Sequence, residues 1–283
     1  MNSERTRLIG IAYRMLGSYS DAEDAASESL VRWYRLTDAE RGAVDVPAAW
    51  LTRVVGRICL DMLGSARVRR ESYVGQWLPE PVPGLGSEAT DPADRVAMQE
   101  SVALALLVVL ESLGPAQRVA FVLHDAFSVP FDEIAVILRR SPAACRQLAS
   151  AARKQVHSRR NTSADPIEHD RVVRAFEAAA GSGDLASLLS VLAPDITLVS
   201  DGGGRVSAAR NPVVGSDRVA RFVRGITGKS TDLQWSIEPV NGLSGIVIRR
   251  EGAVFGVIGF DTADGVVAAV WIVLNPDKLR HWT

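Results

Sequence analysis

The chain has 283 residues, of which 47% are hydrophobic and 23% charged, and its formal net charge is -1. It reads as a soluble globular sequence, long enough for about two or three domains, and its near-neutral total averages over segments whose local charge has to be read separately. No apolar run reaches the roughly 18 residues of a membrane span, and two cysteines, Cys59 and Cys145, exclude a disulfide framework or a thiolate zinc site.

The opening MNSERTRLIG has no secretory apolar stretch, so a cytoplasmic protein with no membrane partner is expected. Leu8, Ile9, Ala12, Tyr13 and Leu16 recur at helical spacing, which predicts a first helix with one buried face. Ser20 followed by Glu23 is a capping-box pattern that predicts the start of a second helix. A third begins at Pro47. Its apolar stripe is Trp50, Leu51, Val54, Val55, Ile58, Cys59, Met62 and Leu63, with Arg53, Arg57 and Asp61 on the other face.

Helical patterning stops at Tyr73, where Pro79, Pro81, Pro83, Gly84 and Gly86 predict a linker, stiff at first and looser later. Asp91 and Pro92 suit the cap and first turn of a new helix. Helix then continues to Arg160, with turns near 113–114, 127–128 and 139–141. Beyond a polar connector come further helical segments and five strand-like runs, beginning at Asp195, Leu233, Ser244, Ala253 and Val266, separated by turn signals. The expected fold class is multidomain: two all-α domains followed by an α+β domain with a curved antiparallel sheet.

The segment 141–160, SPAACRQLASAARKQVHSRR, gathers positive charge without an acid. Cys145, Leu148, Ala149, Ala152 and Val156 form its buried stripe, while Arg146, Ser150, Arg153, Lys154 and His157 face outward. Ser141 is a good N-cap and Pro142 suits the first helical position. A short helix and a turn through Arg139 and Arg140 precede it, which makes a helix-turn-helix whose second helix can enter a major groove. A solvated basic surface helix is the plainer alternative. In the DNA-binding reading Arg146 and Gln147 meet base edges, the small Ala143 and Ala144 allow close approach, and Arg139, Arg140, Arg153 and Lys154 hold phosphates.

The order of YSDAEDAASESLVRWYRL, PAAWLTRVVGRICLDMLGSARVRR and the basic helix-turn-helix resembles the extracytoplasmic-function sigma factors of bacterial RNA polymerase, over about residues 5–157. That resemblance implies binding to core RNA polymerase and promoter DNA. Asp21, Glu23, Asp24, Glu28 and Arg32 would face the polymerase, and Arg53, Arg57, Asp61, Arg67, Arg69 and Arg70 would handle the −10 element. The helix-turn-helix surface, including Ser141 and Ser150, would read the −35 element. The implied domains are 1–72 (region 2), 73–91 (linker), 92–160 (region 4) and 161–283.

WLPEP (Trp77, Leu78, Pro79, Glu80, Pro81), DGGGR (Asp201, Gly202, Gly203, Gly204, Arg205) and NPDKL (Asn275, Pro276, Asp277, Lys278, Leu279) resemble the signatures of the subgroup with a fused SnoaL-like domain. In that subgroup the fused domain is implied to regulate the sigma factor in cis. By itself DGGG is equally a turn requiring positive φ, and Pro276 equally ends a strand.

The α+β domain also admits a different class of function, a ligand-sensing or enzymatic cone with a DNA-binding arm. Catalysis needs positioned acids or bases, and His169, His281, Asp195, Asp201, Asp261 and Asp264 are thinly placed for it. Trp235 and Trp271 look like pocket lining or core. A small-molecule ligand of the cone is one expected partner, whereas no enzyme activity is expected. His124 and His157 stand isolated in helices, so no cofactor and no metal are expected.

Arg146→Ala should weaken promoter use in a sequence-dependent way. Lys154→Ala should weaken it on all sequences and reduce the salt slope by about one. Salt titrations of binding on matched and scrambled promoters distinguish the two.

Overall fold

The computed structural model describes residues 2–71, 73–83, 103–160, 165–228 and 232–282, and within these not the side chains of 2, 66–71 and 158–160. The expected helix start at Asp91 and Pro92 lies outside the described residues. The chain divides into two compact units, one holding described residues of 2–71 and 106–159, the other those of 73–83, 103–105 and 160–282. Among the described residues, no helix is long and apolar enough to cross a membrane.

In the helical unit, α1 (Asn2–Leu16) and α2 (Tyr19–Arg35) form a hairpin. Gly17, at φ 69°, ends α1 and hands the chain to Ser18, whose hydroxyl accepts from the Asp21 N–H at 3.2 Å. The cap is therefore Ser18 and not the expected Ser20, because the glycine turn leaves no room for a longer connection. Thr37 and Glu40 make a full capping box for α3 (Asp38–Gly42), a short helix the periodicity did not reveal. Helix α4 (Pro47–Glu71) buries Leu51, Val55, Ile58, Cys59 and Leu63, and this burial pushes the Cys59 thiol pKa up.

Apart from Leu104, Ala105 and Arg160, the same unit continues through α5 (Leu104–Glu111), α6 (Pro115–Phe121), a π-helical turn (Val122–Ala126), α7 (Phe131–Leu138) and α8 (Pro142–Arg160). Gly56 of α4 lets α7 approach closely: a Cβ there would stand 3.3 Å from Ile137 Cδ1. Arg57 donates to the Ile137 carbonyl at 3.3 Å. Arg118 is buried, donates to the Met15 carbonyl at the end of α1 (2.9 Å) and pairs with Glu111 (2.6 Å). Burial lowers the Arg118 pKa to about 10. The two halves of the helical sequence thus share one core.

The C-terminal unit begins with α9 (Pro166–Ser182) and α10 (Leu185–Ser190), followed by β1 (Leu192–Asp201), β2 (Val213–Val214) and α11 (Ser216–Thr227). Strands β3 (Leu233–Val240), β4 (Leu243–Arg250), β5 (Ala253–Ala263) and β6 (Val266–Val273) then form a meander. The sheet order is β2-β1-β6-β5-β4-β3, and β1 runs parallel to β6 while all other pairs are antiparallel. Three successive hairpins, β3/β4, β4/β5 and β5/β6, leave β6 beside β1, so the sheet is mixed and not purely antiparallel. Register shifts in β1/β6, β4/β5 and β5/β6 bend it. Phe176, Leu188, Ile196, Val219, Ile246, Phe260 and Val270 fill the space between the helices and the sheet. Trp271 belongs to the buried set, whereas Trp235 is half-buried against this core.

The helix-turn-helix bend rests on Arg139, which closes α7 at φ 51°, ψ 48°. A side chain in this left-handed region costs roughly 1 kcal/mol, more if β-branched. Arg139→Gly should hold stability within about 1 kcal/mol of the parent, and Arg139→Val should lose about 1–2 kcal/mol. Urea titrations of the two variants measure the difference.

Candidate functional site: the linker seat and the promoter-facing surfaces

The three short signatures of the sequence meet around one buried carboxylate. Asp201 ends β1 and is 0% exposed. Its Oδ1 accepts from the Tyr73 hydroxyl (2.6 Å) and the Gly203 N–H (3.0 Å). Its Oδ2 accepts from the Leu78 N–H (2.9 Å) and the Lys278 ammonium (2.7 Å). Lys278 also donates to the Leu78 carbonyl, and its ammonium lies 4.1 Å from the Trp77 ring centre and 5.2 Å from that of Tyr73. An ion pair this dry persists only when its remaining donors and acceptors are satisfied, as they are here. Burial, then the bond to Asp201, pushes the Tyr73 hydroxyl pKa up.

The glycines serve both readings left open by the sequence. Gly203 and Gly204 take φ of 59° and 72°, and a Cβ on Gly203 would collide with the Asn275 amide at 2.4 Å. On Gly202 it would strike the Val206 carbonyl at 2.0 Å. Asn275 caps the 3-10 turn Pro276–Lys278 by accepting from the Asp277 N–H at 3.1 Å, and its amide donates to the Tyr73 hydroxyl at 2.8 Å. Arg205 pairs with Asp277 at 3.0 Å, and Leu279 is buried.

From WLPEP, Leu78, Pro79, Glu80 and Pro81 are buried and Trp77 is half-buried. Glu80 lies 3.6 Å from His281 Nε2. Further seat residues went unread in the sequence: Gln76 donates to the Arg210 carbonyl (3.2 Å), and Trp282 to the Pro81 carbonyl (2.9 Å). Asn241 exchanges hydrogen bonds with Val82, at 3.0 and 3.1 Å. Asn241–Gly242 reads as a hairpin turn from its dipeptide alone, but no spacing connects it with residue 82.

On α8, Arg146, Gln147, Ser150 and Lys154 are exposed, as are Arg139, Arg140, Ser141 and Ala143, while Ala144 is half-buried. Ser141 caps the helix by accepting from the Ala144 N–H at 3.2 Å. Arg153 is already held by Asp125 through two contacts, 2.8 and 3.2 Å, which raise its pKa. On α4, Arg53 is half-buried and Arg57 pairs with Asp61 at 3.3 Å besides reaching Ile137. The side chains of Arg67, Arg69 and Arg70 lie outside the described residues. On α2, Glu23 pairs with Arg5 (3.4 Å) and Glu28 with Arg32 (2.8 Å), Asp24 is exposed and Asp21 is half-buried.

The buried His169 is a core residue, with its nitrogens 3.0 Å from Thr262 Oγ1 and 2.9 Å from the Ser244 carbonyl. Asp195 is exposed. Among the described residues, no cluster of His, Cys, Asp and Glu could hold a metal ion.

Residues 1–69 match the family model "Sigma-70 region 2" and residues 103–156 match "Sigma-70, region 4". The ECF RNA polymerase sigma factor SigJ of Mycobacterium tuberculosis is 42% identical over 286 residues, covering 97% of this chain and 90% of that protein. The chain is an extracytoplasmic-function sigma factor. The crystal structure of the M. tuberculosis SigJ superposes with a TM-score of 0.78 at 41% identity, covering 98% of this chain and 96% of that one. The sigma factor therefore serves transcription initiation as an alternative promoter-specificity subunit, and its helical unit carries the two conserved sigma regions.

The seat's ion pair sets a clear expectation. Lys278→Met leaves Asp201 charged and buried without its cation, and should cost about 3 kcal/mol. The double variant Lys278→Met with Asp201→Asn should lose less than the two single losses combined. Denaturation of the four proteins gives the coupling directly.

Proposed function

We propose that the C-terminal unit controls this sigma factor in cis by holding the linker, and that it acts by binding and not by catalysis, beside polymerase in the cytoplasm. The observation that carries this reading is the Asp201–Lys278 pair, which fixes Tyr73 and Leu78 within the C-terminal unit. Residues 73–83, only two positions beyond the end of α4, are bound there over their whole length. Eleven extended residues span at most about 40 Å, so a seated linker withholds that reach from the chain between the two sigma regions.

Those regions are packed together through Gly56, Arg57 and Arg118. Reading a −10 and a −35 element simultaneously requires centres about 25 base pairs apart, roughly 85 Å at 3.4 Å per pair. The packed form cannot span this. In the open form, α8 would offer Arg146 and Gln147 to base edges, with Arg139, Arg140, Arg153 and Lys154 on phosphates. Arg53, Arg57 and Asp61, with Arg67, Arg69 and Arg70, would serve the −10 strand, and the α2 face of Asp21, Glu23, Asp24, Glu28 and Arg32 would serve polymerase. The functional division is 1–72, 73–91, 92–160 and 161–283.

A catalytic reading of the cone gains no support from its large cavity, which no histidine and no carboxylate lines among the described residues.

Run-off transcription with purified core polymerase tests the proposal. Trp77→Ala combined with Leu78→Ala should raise polymerase-dependent transcript about threefold or more, corresponding to at least ~0.7 kcal/mol of lost restraint. A fragment ending at Arg160 should respond to neither change. Equal transcription from parent and linker variants would overturn regulation through the seat.

A further inference from the structure

A cavity of about 510 Å³ in the C-terminal unit is walled by α11 and the sheet. Its size falls within the ordinary range for small-molecule sites, about 300–1,000 Å³. Phe176, Trp235, Ile258 and Val270 make its walls apolar, so water inside finds few partners. Its charged lining residues are both cations, Arg221 and Arg250. Arg250 lies 4.2 Å over the Phe255 ring and pairs with Asp232 at 2.8 Å, and Arg221 pairs with Asp217 at 2.8 Å. All four charged side chains are substantially exposed, so each arginine can exchange its carboxylate for a ligand's anion at modest cost.

A second cavity, about 250 Å³, shares Ser200, Ser207, Ala208 and Ala209 with the first and adds Val74 and Gly75 of the linker. Ser200, adjoining Asp201 in β1, accepts from the Ala209 N–H at 2.8 Å. The stretch from Ser200 to Arg210 is therefore one wall of the large cavity and one wall of the linker seat.

We propose that the larger cavity binds a small apolar molecule bearing an anionic group, and that its occupancy is passed to the linker through this shared wall. The inference rests on the reading that the seated linker regulates the sigma factor. The cavity supplies apolar surface for the body of the ligand and arginines for its head.

Two fluorescent probes on one scaffold test this with the full chain: 1-anilinonaphthalene-8-sulfonate, an anion, and N-phenyl-1-naphthylamine, its neutral counterpart. Gly225 lines the cavity, and a Cβ there projects into open space, so Gly225→Phe puts a ring at the cavity without straining α11. We expect one sulfonate probe per chain, with binding of both probes weakened by Gly225→Phe. Arg250→Gln and Arg221→Gln should each weaken the sulfonate about fivefold and leave the neutral probe unchanged. In hydrogen exchange, the Leu78 and Val82 amides should change protection when the sulfonate probe is bound to the parent and not to Gly225→Phe.

Probe binding indifferent to Gly225→Phe would overturn the site. Equal effects of the arginine changes on both probes would overturn the anionic class. Unchanged amide exchange at full occupancy would overturn the coupling. None of these readouts depends on transcription, so failure here is distinct from failure of regulation through the seat.

Discussion

The arrangement of the C-terminal unit turns on the buried carboxylate of Asp201. Asp201 ends β1, accepts four hydrogen bonds through its side chain, and through its own carbonyl accepts from the Leu274 and Asn275 N–H groups at 2.7 and 3.0 Å. A charge this dry needs Lys278, and Lys278 needs the turn that Asn275 caps. The donors come from three stretches of chain, Tyr73 and Leu78 from the linker, Gly203 from the glycine turn and Lys278 from the C-terminal turn, so these three are fixed together or not at all. The glycines follow from the same demand: with a Cβ at Gly203 the Asn275 amide could not approach.

The helical unit shows the complementary constraint. Its two sigma regions share a core through Gly56 against Ile137 and through Arg118, which reaches the end of α1. Because Arg118 is buried beside Glu111, separating the regions must rehydrate both charges and the Met15 carbonyl.

Much of this was legible in the sequence where local rules decide. The apolar stripe of α8 reads directly: Cys145, Ala149, Ala152 and Val156 are buried and Arg146 and Lys154 are not. The strand meander from β3 to β6 follows from alternating runs and turn residues. The signatures WLPEP, DGGGR and NPDKL were visible as words, but their convergence was not, since Leu78 and Lys278 are joined by a hydrogen bond across 200 positions. Separations of 159 and 201 positions hid Asn241 and Trp282. The parallel pairing of β1 with β6 likewise has no local signal. The sequence puts Arg153 among the phosphate-holding cations because acids are absent from its own segment, whereas its partner Asp125 arrives from the π-helical turn. Ser18 and Ser20 are the same residue type two positions apart, and the turn at Gly17 is what makes Ser18 the cap.

The covalent join between linker and seat has a quantitative meaning of its own. A linker that leaves Asp201 stays tethered to the same chain, so it returns at an effective concentration set by tether length, typically millimolar for a short flexible connection. On the proposed reading, restrainer and restrained are then produced in a ratio of one to one at every expression level. In this reading the balance between seated and released linker is independent of how much protein the cell makes, and dilution alone cannot switch the sigma factor on.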